Sequence, residues 1–200
     1  MARLKAFDPD EALERAMALF WRDGYDATSL SALLEAMGIS RQSLYDTFGD
    51  KRSLYLAALD LYAGGFAELV QRHLGSADAG VAALLAFGQS YLATFLHGEG
   101  RGTCMMAAAA LSIANRDDAV AARVKAHHSA LEAALLTTIV NAKRAGEVDP
   151  AVDPTAAARL LVAVFSGLSV AHRSGASRTA LRRTIEAALG ALTRIPRADA

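Results

Sequence analysis

Between two glycines, the stretch GISRQSLYDTFGDK (38–51) places Arg41, Gln42, Ser43, Tyr45, Asp46 and Thr47 on two turns of helix, with Lys51 just beyond. Leu44 and Phe48 lie four apart and mark the buried side. At about 100° per residue, Gln42, Ser43 and Asp46 face away from it; Arg41 and Tyr45 take one flank, Ser43 and Thr47 the other. Guanidinium and carboxamide groups in a first turn can hydrogen-bond base edges in a DNA major groove, and short polar neighbours allow close approach. Tyr45, Thr47 and Lys51 are placed to meet phosphates. Lys51 opens the next helix, where exposed N–H groups favour anions. Thr28 or Ser29, at the start of the preceding helix, offers another phosphate contact. Asp46 fits a cytosine amine or screens wrong sequences.

Such side chains need a scaffold, and the flanking sequence encodes one. Asp8, Pro9 and Gly24 delimit a first helix over 9–22, with Leu13, Ala16, Met17 and Phe20 on one face. Thr28 caps a second over 29–37, Ser40 a third over 41–48, and Asp50 a fourth over 51–74. Gly38-Ile39-Ser40 makes the tight turn of a helix-turn-helix, glycine supplying positive φ. Leu33, Leu34, Ile39, Leu44 and Phe48 can pin the pair onto the first helix.

Spacings of three and four residues continue through a fifth helix from Val81, a sixth over 104–114 and a seventh over 117–145. HGEGRGT between the fifth and sixth lacks the Lys-Ser/Thr pair of a phosphate-cradling loop. AGEVDPAVDP reads as a linker before an eighth and a ninth helix. The expected fold is all-α, about nine helices: a three-helix domain over 1–50 and a larger helical domain over 51–200.

Composition agrees. Hydrophobic residues make up 53%, and the four prolines leave long stretches unbroken. Net charge is zero, and 1–55 carries seven basic against nine acidic residues, so no basic excess announces nucleic acid. Distribution outweighs that total over a Debye length of about 8 Å; Arg3, Lys5, Arg41, Lys51 and Arg52 can form a local positive face. Two short amphipathic helices with a glycine turn also occur in proteins that bind no DNA, and a helical interaction module is the alternative. A lone cysteine excludes an internal disulfide framework. The N-terminus lacks an apolar signal core, and no run approaches the roughly 18 uninterrupted apolar residues of a bilayer span. A cytoplasmic protein without membrane attachment is expected. No triad, paired carboxylates or metal-ligand spacing suggests an enzyme, a cofactor or a metal site. His127 and His128 are adjacent and face about 100° apart.

ALFWRDGYDATS, ALLEAMGIS and SLYDTFGDK together resemble the DNA-binding domain of the TetR/AcrR family of bacterial transcriptional regulators. The resemblance covers about a quarter of the chain. It implies a homodimer whose third helix reads a pseudopalindromic double-stranded operator, usually as a repressor released by a small molecule. It places Arg41, Gln42, Ser43, Tyr45 and Asp46 toward the groove, Ser29, Thr47 and Lys51 toward the backbone, and Trp21 within the small domain.

The larger domain is then expected to hold an apolar inducer among helices four to seven. Candidates are Phe66, Phe87, Tyr91, Phe95, Cys104, Met105, Met106, His127, His128 and Phe165, aromatic and thioether groups with a few polar ones. Cys104, at a helix start, reads either as a reactive thiolate or as a small buried hydrophobe. Ala157, Leu160, Leu161, Val164, Phe165, Leu168 and His172 of the eighth helix, with Leu181, Ile185 and Leu189 of the ninth, are the candidate dimer face; the alternative is that they fill the chain's own core.

Overall fold

The computed structural model describes residues 7–96 and 104–193, with the backbone alone for 95 and 96. Among these, nine helices follow in order: α1 (Pro9–Asp23), α2 (Leu30–Met37), α3 (Arg41–Phe48), α4 (Lys51–Leu74), α5 (Val81–Leu96), α6 (Met105–Ser112), α7 (Asp118–Arg144), α8 (Pro154–Arg173) and α9 (Arg178–Gly190). The HGEGRGT loop, Arg3 and Lys5 lie outside the described residues.

Local chemistry sets the boundaries. Asp8 accepts from the N–H groups of Asp10 and Glu11, and Ser40 from that of Ser43. Gly38 sits at φ 68° and ψ 30°, the left-handed region, which lets the Ile39 N–H return to the Leu34 carbonyl and turn α2 sharply into α3. Thr28 does not cap α2. Its buried hydroxyl donates to the Gly24 carbonyl at 2.6 Å, and Ser29 takes the cap by accepting from the Ala32 N–H at 3.1 Å. The buried face of α1 is also turned from the expected one: Ala12, Ala16, Leu19 and Phe20 are inside, while Leu13 and Met17 are half-buried.

Helix α4 spans about 36 Å and is the shared wall of the molecule. It packs against α1 at one end and against α5 and α7 along its length; α8 lies between α7 and α9, and α5 meets α9. Gly88 permits that last approach, since a Cβ there would stand 2.7 Å from Ile185 Cγ2. By length and mean apolarity α4 and α8 could each cross a bilayer, which a search for uninterrupted apolar runs misses. Both instead lay apolar faces on neighbouring helices.

The segment between α7 and α8 is no free linker. Val148 is buried and forms an antiparallel bridge with Thr193, the Asp149 N–H donates to the Leu192 carbonyl at 3.0 Å, and Lys143 Nζ donates to the Val152 carbonyl at 2.6 Å. The end of α9 is thereby tied to the end of α7.

The expected dimer face is largely internal. Leu161, Phe165, Leu168, Leu181, Ile185 and Leu189 are buried in the chain's own core, and Val164 and His172 are half-buried. Of that set only Leu160 is exposed; it shares the outward face of α8 with Ala156, Ala163, Gly167 and Val170, and that of α9 carries Ala180, Thr184 and Ala187. Periodicity marks both faces of such helices as apolar or small and cannot say which one the chain covers itself.

Because Ser29 alone satisfies the first-turn donor of α2, Ser29→Ala lowers unfolding stability by about 1 kcal/mol. A urea titration reads this as a lower midpoint at unchanged slope.

Candidate nucleic-acid interface

Helix α3 buries Leu44 and presents its other sides outward. Arg41, Gln42, Tyr45 and Asp46 are exposed, Tyr45 to 47%, and Ser43 and Thr47 are half-buried. The exposed Tyr45 offers an apolar ring and a hydroxyl able to hydrogen-bond a partner. Gln42 Nε2 donates to Asp46 Oδ1 at 2.7 Å across one turn. That bond fixes the carboxamide and leaves one amide hydrogen and Oε1, the donor and acceptor that match an adenine edge. Asp46 therefore orients Gln42 as well as presenting an acceptor of its own, a role its i, i+4 spacing already encoded. Ser43 is partly engaged at the cap, its hydroxyl 2.9 Å from that of Ser40.

Lys51 begins α4 with Nζ 4.5 Å above the Tyr25 ring. The ring holds the ammonium beside the N-terminus of α4, where Asp50 caps by accepting from the Ser53 N–H at 2.7 Å. That bond, with Ser53's hydroxyl, lowers the Asp50 carboxyl from its ordinary value. Ser29 is exposed near the same edge; Thr28, buried with its hydroxyl committed to Gly24, does not offer the phosphate contact expected of it.

Arg52, next to Lys51, has its guanidinium committed to the body. It grips Asp117 with two bonds, 2.6 and 2.9 Å, across 65 residues of sequence, and Asp26 pairs with Arg116 nearby. Farther along α4, Asp60 pairs with Arg123 at 2.7 and 2.8 Å. Together these pairs bind the small domain and α4 to the start of α7. They leave the negative sum of the first 55 residues unchanged, because Asp26 draws on Arg116 while Arg52 is given to Asp117, and Glu11–Arg15 and Asp23–Arg22 cancel within the segment. Of the acids that remain, Asp8 and Asp50 sit at helix N-termini that offset them. No local sequence signal announces the pairs that cross to α7.

The candidate ligand residues form a closed aromatic seam. Phe66 lies 5.9 Å from Tyr91 and 4.4 Å from His127, and Phe165 5.3 Å from Phe87 and 5.2 Å from Tyr91. Met105 and Met106 are fully buried, and His128 is half-buried. Phe95 lies on α5, its side chain outside the described residues. Burial, helped by His128, lowers the His127 imidazole to about 4, so it packs as a neutral ring. Cys104, buried, precedes α6 without a side-chain capping bond; the Tyr62 hydroxyl donates to its Sγ at 3.3 Å and its N–H donates to Ser169 Oγ at 2.8 Å. Burial beside that thiol pushes the Tyr62 phenol well up.

Open space flanks this seam. A groove of about 320 Å³ between α4 and α7 is lined by Phe66, His127 and Leu131 among others, and one of about 600 Å³ between α1, α4 and α5 by Trp21, Tyr62 and Phe66. Phe66 borders both. Trp21, expected within the small domain, meets Tyr62 of α4 edge-on at 5.3 Å and lines the larger groove.

The family model for bacterial regulatory proteins of the tetR family matches residues 12–58, and that for the tetracyclin repressor-like C-terminal domain matches 80–188. The HTH-type transcriptional repressor ComR of Escherichia coli (strain K12) is 34% identical over 176 residues, covering 88% of this chain and 84% of that protein. The uncharacterised HTH-type regulator YezE of Bacillus subtilis (strain 168) is 33% identical over 149 residues, 74% of this chain and 77% of its own. Among solved structures, a cysteine-substituted TetR family regulator CifR complexed with 26-bp double-strand operator DNA superposes with a TM-score of 0.83 at 30% identity, covering 96% of this chain and 100% of that one.

The Arg52–Asp117 pair makes a pH prediction. The Arg52 bonds hold the Asp117 carboxyl at about 2, below its ordinary 3.8. A depressed folded value contributes stability above the ordinary value, and that contribution is lost as pH falls toward the folded one. Asp117→Asn should therefore lose less stability than the parent between pH 4 and 2, measured by urea midpoints at stepped pH.

Proposed function

The chain belongs to the TetR family of bacterial transcriptional regulators, which are not enzymes, and on that footing we propose a repressor that grips a pseudopalindromic double-stranded operator as a homodimer and lets go when a small molecule binds. The observation that carries this reading is α3: four exposed side chains able to hydrogen-bond, two of them already bonded to each other, on a helix whose sharp turn from α2 leaves it standing clear of the body. CifR, which this chain resembles over nearly its whole length, is seen on operator DNA.

In this reading residues 1–50 read DNA and residues 51–200 bind ligand and pair subunits, in the cytoplasm. Arg41, Gln42, Ser43, Tyr45 and Asp46 face the bases; Ser29, Thr47 and Lys51 hold phosphates. Two half-sites on one side of B-DNA must be about 34–36 Å apart, or a multiple. A ligand that alters the tilt of α1 or α4 changes that spacing and weakens both heads together. It acts only through its better fit to the released form.

Pairing of subunits uses the outward faces of α8 and α9. Leu160 and Val170, 48% and 52% exposed, stand on α8 among small residues that allow close helix approach, and α9 adds its own small-residue stripe. A twofold axis through this patch makes a four-helix seam with each subunit contributing the same surface.

Mobility-shift assays with DNA upstream of the protein's own gene test the reading. Lys51→Ala weakens every sequence alike and makes the salt dependence shallower. Gln42→Ala costs about 1–3 kcal/mol at one or two base positions and relaxes preference there. Uniform loss from both changes would contradict the assigned roles. Leu160→Asp combined with Val170→Asp gives monomers by light scattering and loses most operator affinity, while the helix content read by circular dichroism stays that of the parent.

A further inference from the structure

The larger groove is more than a gap between helices. Its rings, Trp21 of α1 with Tyr62 and Phe66 of α4, line one apolar space of about 600 Å³, within the range that encloses a drug-sized molecule. The charged groups lining it are unequal. Glu14 of α1 and Glu68 of α4 stand on its two walls, and with Arg72 as the one basic group among the lining residues, the lining carries one carboxylate in excess. Ring faces attract cations through their quadrupoles, and a carboxylate on the opposite wall favours the same sign.

We propose that this groove binds a lipophilic organic cation, an aromatic or bulky body carrying one delocalised or quaternary positive charge, seated on Trp21 and Tyr62 with its charge toward Glu14 and Glu68. The occupant touches the small domain and the body at once. It enters where Trp21 meets Tyr62, so filling the groove moves α1 against α4, and α1 carries α2 and α3 with it. The link to DNA rests on the repressor reading above; the binding does not.

Trp21 is the chain's sole tryptophan, so its emission reports on this groove alone. Titrating the full chain with tetraphenylphosphonium and, separately, with its near-isosteric anion tetraphenylborate isolates the sign of charge. The cation should quench Trp21 saturably and bind at least about tenfold more tightly than the anion. Glu14→Gln and Glu68→Gln should each weaken it about fivefold, and Arg72→Gln should tighten it. Equal binding of the two ions, no saturable quench, or cation binding indifferent to both glutamate changes would overturn the proposal. Operator binding by the probe-free proteins, measured in parallel, separates a failure of DNA reading from a failure of cation binding.

Discussion

The small domain is held to the body by a seam of rings along one long helix. Phe20 meets Tyr55 at 5.0 Å, Tyr25 meets Tyr55 at 4.9 Å and Trp21 meets Tyr62 at 5.3 Å, all between the first helix or its C-terminal turn and α4. Burial of such rings supplies most of the adhesion, and their edge-on geometry adds orientation. The pair from Asp26 to Arg116 adds a second attachment between the small domain and the start of α7, and Arg52 of α4 meets Asp117 beside it. Exposed pairs contribute little to stability singly. The Asp26 contact is directional, since it lies off the ring seam and opposes rotation about it. The orientation of α3 depends on both.

Much of this was legible in the chain itself, and the reason is locality. Caps, the Gly38 turn and the polar side of α3 are written within four or five residues, so Asp8, Ser40 and Asp50 are found where a helix start needs an acceptor. Thr28 and Ser29 show the limit. Either can cap, and only the bond from Thr28 to the Gly24 carbonyl, formed once the loop has closed, decides for Ser29. The expected ligand residues do gather in space, yet mostly as packed rings; of the two grooves that Phe66 borders, the larger is also lined by Trp21 and Tyr62, which touch only after α1 docks on α4.

The burial of most residues expected at the dimer face has a related cause. Helix α8 is apolar or small on two sides. Its larger residues, Leu161, Phe165 and Leu168, turn inward because the chain's own α5, α7 and α9 need filling, and the smaller side is left outward. A spacing rule favours the stripe with the most carbon, which is the stripe a single chain buries first. Likewise Arg52, counted from its position in a local positive face, is engaged by a carboxylate 65 residues away.

The bond between Gln42 and Asp46 has one more consequence. A long side chain ordinarily gives up rotamer freedom when it meets its target. In the proposed reading of DNA by α3, part of that freedom is given up before any duplex arrives, so engagement loses less entropy and a mismatched edge meets an amide already biased toward one orientation. Fidelity, more than tightness, is what such a tether would contribute.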